Sequence, residues 1–467
     1  MKGKTIFIVM FLAGLVVLPH SCSRAESHQP PNIIFILADD LGAGDLQCSG
    51  HPYVRTPHLD RLAENGIRFK RAYMAGAWCA PSRYGIMSGQ FPGRDFDRTR
   101  NLKPYEPSVT KILKDAGYHT AHFGKWHMTQ GTEYSDSPAD FGIDEHFLHN
   151  YKGGEANTWS PEEKQKEYWR AHSTDAYVDM TIDYIKRHDP AETSAPFYVN
   201  LWIFPTHSYI HPTPGQLKEY EGLEVEIEDF SEYQQAFLRF VARHGDIDEA
   251  MQAYCADVTS MDKALGRLFR FLEKEELTDN TLVVFTSDNG PGPLTHQVQR
   301  GTVVKRYRER PDLLNSVGSA SIYRERKVSL HEGGIRVPFI VSWPGNTPRG
   351  MVDKTTVVHG TDWLPTVASV CGIELPDGVY DGVNVEPALL GDTLERDKPV
   401  FWTQAGEVAM LQDPWKGILS NDGTFELYQV RKDPGEKMNV ADEYAETAAR
   451  IEGMIRDWKA EQMDQNE

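Results

Sequence analysis

Four short apolar runs punctuate the chain: Asn32 to Ala38, Phe197 to Ile203, Leu282 to Thr286 and Val337 to Trp343. Each has strand length and lacks the apolar-polar alternation of a half-buried strand, so each predicts a strand covered on both faces. Helical patterns alternate with them. Thr56 caps the first, Pro57 opens it, Leu59, Leu62 and Ala63 form its buried stripe, and Gly66 ends it. A second starts at Ser108, with Val109, Ile112, Leu113 and Ala116 on one face and Gly117 as the stop. A third carries Met261, Ala264, Leu265, Leu268, Phe269 and Leu272 at helical spacing and reads as core. Strands alternating with helices predict an α/β fold, a large, mostly parallel sheet flanked by helices.

Beyond about Asp381 the pattern weakens into short strands, such as Glu426 to Val430, and one last amphipathic helix near Ala445 to Trp458. That change predicts a smaller C-terminal α+β domain over residues 381–467, after a catalytic domain over 25–380. Residues 1–24 read as a secretory signal, because Lys2 and Lys4 precede an apolar run from Ile6 to Leu18 that is too short to span a bilayer. Cys22 behind Ser21 leaves two outcomes open, a lipid anchor on Cys22 or simple cleavage. Either implies an exported protein: periplasmic, anchored at the outer membrane or extracellular.

Composition narrows the chemistry. The formal charge of -19 over 467 residues disfavours nucleic acid as a partner, so an anionic substrate needs a local positive site. Of five cysteines, Cys48, Cys79, Cys255 and Cys371 lie beyond the leader, too few for a disulfide framework. The segment Pro291 to Arg326 lacks periodicity, and irregular stretches of that length tend to border active sites.

Two strands end in oxygen donors: Asp39 and Asp40 close the first, and Asp288, Asn289 and Gly290 follow the one beginning at Leu282. In open parallel sheets ligands bind beyond the carboxyl ends of strands. Four such oxygens suit calcium or magnesium and not zinc, although Asp, Asn and Gly are also ordinary turn residues.

Cys79-Ala80-Pro81-Ser82-Arg83, trailed by Ser88-Gly89, carries a specific resemblance. Cys-x-Pro-x-Arg is the recognition sequence of the machinery that converts cysteine to formylglycine (3-oxoalanine). The longer string resembles the signature of type I sulfatases in the alkaline phosphatase superfamily. Further family-like strings follow in order: Asn32 to Asp45, Thr56 to Ala63, Gly124-Lys125-Trp126-His127, Thr286 to Gly290, Lys327 with Glu332-Gly333-Gly334, and Glu426-Leu427-Tyr428. The resemblance covers nearly the whole mature chain.

Residue by residue, it implies metal ligation by Asp39, Asp40, Asp288 and Asn289, with oxidised Cys79 completing the shell around calcium, magnesium being the second choice. A hydrated aldehyde on a divalent cation has a lowered pKa and becomes a nucleophile, through which the family forms a sulfoenzyme intermediate. Arg83, one helical turn beyond Cys79, is expected to reach back to that group. Lys125 and Lys327 match the lysines that clamp sulfate, His207 the acid for the leaving alcohol, with His211 nearby, and His127 the base that releases sulfate. The implied partner is a formylglycine-generating maturation enzyme, while export and the basic clusters point to a sulfated carbohydrate as substrate.

Arg94, Arg98 and Arg100, and Arg300, Lys305, Arg306, Arg308 and Arg310, form basic clusters that either grip further anionic groups or are solvated loop charges. Trp126, with Trp78, Tyr84 and Trp202, is a candidate sugar platform or simple packing. Two other functions stay open: a phosphatase or phosphodiesterase of the same superfamily, and an inert homologue that binds sulfated glycans.

Overall fold

The computed structural model describes residues 30–92, 102–129, 137–149, 168–207, 210–292 and 315–464. Its centre is an eight-stranded sheet. The strands are β1 (Asn32–Asp39), β2 (Ile67–Phe69), β3 (His119–Lys125), β4 (Glu145–His149), β5 (Phe197–Thr206), β6 (Thr281–Ser287), β7 (Phe339–Ser342) and β8 (Met351–Asp353). They lie in the order β4-β3-β5-β1-β6-β7-β2-β8, and β7 alone runs against the others.

Strand β1 is buried throughout, as its unbroken apolar run predicts. Its alternate residues serve two separate cores. Ile34 and Ile36 pack on the side of Leu59, Tyr177, Met261 and Leu265, while Ile33, Phe35 and Leu37 pack on the side of Leu113, Trp363 and Leu364. The first side is covered by helices α1 (Pro57–Glu64), α4 (Ser173–Arg187) and α5 (Ile247–Lys274), the second by α3 (Val109–Asp115) and α6 (Trp363–Val370). Helix α2 (Cys79–Ser88) is buried on every side, which explains why it shows no amphipathic stripe.

The C-terminal part is a four-stranded antiparallel sheet, β9 (Val400–Gln404), β10 (Glu407–Gln412), β11 (Trp415–Leu419) and β12 (Phe425–Gln429), with helix α7 (Ala445–Asp464). Ile451 and Ile455 of α7 pack with Met410, Ile418 and Leu427, and that core continues into Tyr73, Leu330 and Ile335 of the larger part. A buried ionic knot crosses the same boundary. Lys416 on β11 bridges Glu332 at 3.0 Å and Glu436 at 2.9 Å, and Glu332 also holds Arg336 at 2.7 Å. No helix among the described residues is long and apolar enough to cross a membrane.

Candidate active site

The site forms where β1 and β6 end side by side. Parallel pairing sets Ala38 against Ser287, and the strands part just beyond. The Asp288 N–H donates to the Ala38 carbonyl at 3.1 Å, and the Asp40 N–H donates to Asp288 Oδ1 at 3.1 Å. The four expected oxygen-bearing residues therefore converge, and all are buried. Gly290 permits this turn: a Cβ there would stand 1.8 Å from the Gly333 carbonyl oxygen. The Gly-Gly pair following Glu332 answers to other contacts: a Cβ on Gly333 would stand 2.1 Å from the Glu325 carbonyl oxygen, and one on Gly334 2.0 Å from that of Ser329.

Helix α2 delivers Cys79 at its first position, where the helix dipole is positive. Cys79 Sγ lies 3.2 Å from Asp39 Oδ1 and 3.9 Å from Asp40 Oδ1. Lys327 Nζ reaches both Cys79 Sγ, at 3.2 Å, and Asp40 Oδ1, at 2.5 Å. Lys125, at the end of β3, pairs with Asp39 Oδ2. Asp40, His127 and Val328 all adopt positive φ, a conformation that costs about 1–3 kcal/mol for ordinary residues and concentrates at functional sites.

Charge within this pocket is strongly biased. Burial raises the Asp39 carboxyl, but Lys125, His207 and Arg83 outweigh it and hold the group well below the usual carboxylate range. Asp40 is lowered in the same way, burial being outweighed chiefly by Lys327. Asp288 is pushed up to about 6 by burial and by its neighbour Asp39. Burial, then Asp288 and Asp39, push the Cys79 thiol far above its ordinary value. Plain cysteine at this position is therefore a poor nucleophile, whatever its surroundings of lysine. His127 is held neutral down to about 3 by burial, then by Lys125 and Arg83.

The donor set fits a hard divalent cation. Ligand atoms of Asp39, Asp40, Cys79 and His207 lie within 4.8 Å of one another. Asn289 Oδ1 is buried beside them and accepts no hydrogen bond, while Asn289 Nδ2 donates to Asp40 Oδ1 at 2.8 Å. A buried carbonyl oxygen left without a donor is costly unless a cation meets it. Three acidic residues and one amide oxygen match calcium or magnesium.

Several expectations change in detail. Arg83 does not reach back to Cys79 with a hydrogen bond, because its guanidinium is committed elsewhere. Nε and Nη2 donate to Asp288 Oδ2 at 3.1 and 2.7 Å, and Nη1 donates to the Lys125 carbonyl at 2.9 Å. Trp126 as a sugar platform is corrected: it is completely buried, with His122 and Phe141 against its ring at 5.2 and 5.3 Å. Tyr84 and Trp202 are likewise interior, whereas Trp78 keeps part of its surface and meets His127 edge-on at 6.3 Å. His207 Nε2 lies 4.0 Å from Asp40 Oδ2, and His211 instead packs on Tyr168. Arg94, Arg98, Arg100, Arg300, Lys305, Arg306, Arg308 and Arg310 lie outside the described residues, as do the signal and Cys22.

Acidic strand ends that could hold a cation, a helix-borne cysteine and two lysines directed at them fit a hydrolase of anionic esters. A family model described as Sulfatase matches residues 31–373. The N-acetylgalactosamine-6-sulfatase of Canis lupus familiaris is 28% identical over 86% of this chain and 72% of its own length. The N-acetylgalactosamine-6-O-sulfatase of Bacteroides thetaiotaomicron is 26% identical over 93% of this chain and 94% of its own. The crystal structure of Ps i-CgsB in complex with k-i-k-neocarrahexaose superposes with a TM-score of 0.73, at 23% identity, over 92% of this chain and 93% of that one. The chain belongs to the sulfatase family, the sulfuric ester hydrolases of the alkaline phosphatase superfamily.

Proposed function

We propose that this chain is an exported enzyme that hydrolyses sulfate esters on carbohydrate, with residue 79 in its formylglycine form and calcium at Asp39, Asp40, Asp288 and Asn289. The observation that carries the reading is the position of Cys79 Sγ, within hydrogen-bond reach of both Asp39 and Lys327 inside the cluster of metal-ligating atoms. Carbohydrate is supported by relatives named for a sulfated amino sugar and by a structural neighbour that holds a neocarrahexaose.

When in place, the cation and the hydrated aldehyde supply a nucleophilic hydroxyl and a Lewis acid for a sulfate oxygen. The protein's own residues do the rest. Lys125 and Lys327 bind the remaining sulfate oxygens in a buried setting, where fixed charges act far more strongly than in water. Their charge also offsets the acidic surroundings of a -19 chain. His207, partly exposed at the end of β5, gives its proton to the departing alcohol oxygen. His127, neutral because burial and two cations disfavour its protonation, takes the proton that frees sulfate. The net change is addition of water across the ester, yielding alcohol and sulfate.

The test has two arms. Peptide mass spectrometry of protein from its native host should show Cys79 converted, and a panel of sulfated oligosaccharides should release free sulfate. An unmodified thiol with no release refutes the reading and leaves an inert glycan binder. Two zinc ions together with phosphate release place the chain among the phosphatases of the superfamily.

A further inference from the structure

Behind His207 lies a buried ion pair that the sulfate chemistry does not use. Arg170, which precedes α4, is 6% exposed, and Asp257 on α5 is 4% exposed. Arg170 Nη1 stands 3.7 Å from Asp257 Oδ1, and Arg170 Nη2 donates to the His207 backbone carbonyl at 3.1 Å. The guanidinium also lies over the Phe204 ring, 5.4 Å from its centre. Phe204 in turn accepts the His207 N–H on its carbonyl at 2.8 Å. One side chain therefore grips both ends of the Phe204 to His207 turn.

A buried charge pair in this geometry is an expensive way to hold a loop. Two polar atoms of the pair, Arg170 Nη1 and Asp257 Oδ2, make no hydrogen bond. Well-packed apolar residues of equal volume stabilise a fold as well or better. What an arginine provides and an apolar side chain does not is a directional donor aimed at one carbonyl. That carbonyl belongs to the residue assigned to protonate the leaving alcohol.

We infer that Arg170, held by Asp257, is a positioning residue that fixes His207 for proton transfer to the leaving group; the inference rests on the reading of His207 as the acid. A proton donor displaced by even 1 Å loses much of its effect, while binding of the sulfate by Lys125 and Lys327 is untouched. The defect should then depend on how much the leaving group needs a proton.

The experiment compares phenyl sulfate, a poor leaving group, with 4-nitrophenyl sulfate, a good one, on the calcium-loaded, matured enzyme. Arg170→Ala and Asp257→Asn should lower kcat for phenyl sulfate by about tenfold to a hundredfold, with KM little changed and 4-nitrophenyl sulfate affected less than about threefold. Arg170→Lys, which keeps a donor for the carbonyl, should recover most of the loss. His207→Ala serves as the reference and should show the same selectivity, larger. Equal losses on both esters, or none, in the Arg170 and Asp257 variants overturn this inference while His207 keeps its role. Loss of selectivity in His207→Ala itself overturns the reading of His207, and this inference with it.

Discussion

Lys327 Nζ touches both Cys79 Sγ and Asp40 Oδ1, so a single ammonium joins Cys79 to the acidic cluster. Burial works against that charge, but Asp40 and the neighbouring acidic groups hold the Lys327 pKa well above its ordinary value. It is a permanent cation, and on the proposed function it faces the charge that develops on sulfate. Lys327→Ala should lower kcat by about a hundredfold or more with a smaller change in KM, as for loss of a group acting on the transition state. Cys79→Ala should abolish turnover with the thermal midpoint nearly unchanged. Steady-state kinetics and calorimetry check both, and a Lys327 variant altered only in KM contradicts the assignment.

Arg83 pairs with two carboxylates, Asp288 and Asp39. Its removal leaves Asp288 and Asp39 buried without their shared guanidinium, a defect that costs about 3–5 kcal/mol. Arg83→Met should therefore lower stability, and it should weaken calcium binding by misplacing Asp288. Chemical denaturation and calcium titration measure the two effects. A variant of normal stability would mean that Asp288 finds another partner.

Chelation should both stop turnover and lower the thermal midpoint. A cation bound at about a hundred times its dissociation constant adds about 2.7 kcal/mol to stability. Calcium should restore both properties. Magnesium restoring more than calcium would reassign the ion.

His122 predicts an acid-sensitive fold. Its ring is fully buried, Nε2 donates to the Lys125 carbonyl at 3.3 Å, and burial lowers its pKa from 6.5 to about 3. The unfolded chain binds the proton first, so this contribution is intact above pH 6.5 and is lost as pH falls toward 3. His122→Gln keeps a donor for the carbonyl and removes the titration. Between those limits its stability should fall less steeply than wild type, by about 1.4 kcal/mol per pH unit. Parallel profiles from calorimetry would show that the ring is protonated in the native state.

Among the described residues, Lys416 is the only buried ammonium on Glu332 and Glu436. Lys416→Met should destabilise the whole protein by about 3–5 kcal/mol. Because Glu332 lies just beyond Lys327, activity should be lost at denaturant concentrations below the main unfolding step. Coincident loss of activity and structure would show that the knot only stabilises.

The parts legible in the sequence are those where chemistry and local pattern coincide. Asp39 and Asp40 follow an apolar strand, Asp288 and Asn289 follow another, and parallel pairing brings them together. Strand β3 was less visible as a strand, because His119, His122 and Gly124 interrupt its apolar pattern. Gly124 is there for a positive φ of 119° and a close approach to the Trp202 carbonyl. The partner of Arg83 could not be read from spacing, since Asp288 is 205 positions away. Arg170 and Asp257 carry no local signal at all; only the packing of α5 against the end of β5 gives them meaning. Trp126 illustrates the converse, a residue beside Lys125 with its ring buried in the core.

The exposure of Cys79 is 2%. An enzyme that must enclose this side chain in its own active site has no path to it once α2 has docked against the strand ends. On the proposed reading, conversion to the aldehyde therefore precedes docking, on a chain still open around residues 79 to 83. Folding that outruns that oxidation would seal in the thiol, so the yield of active protein becomes a race between two rates.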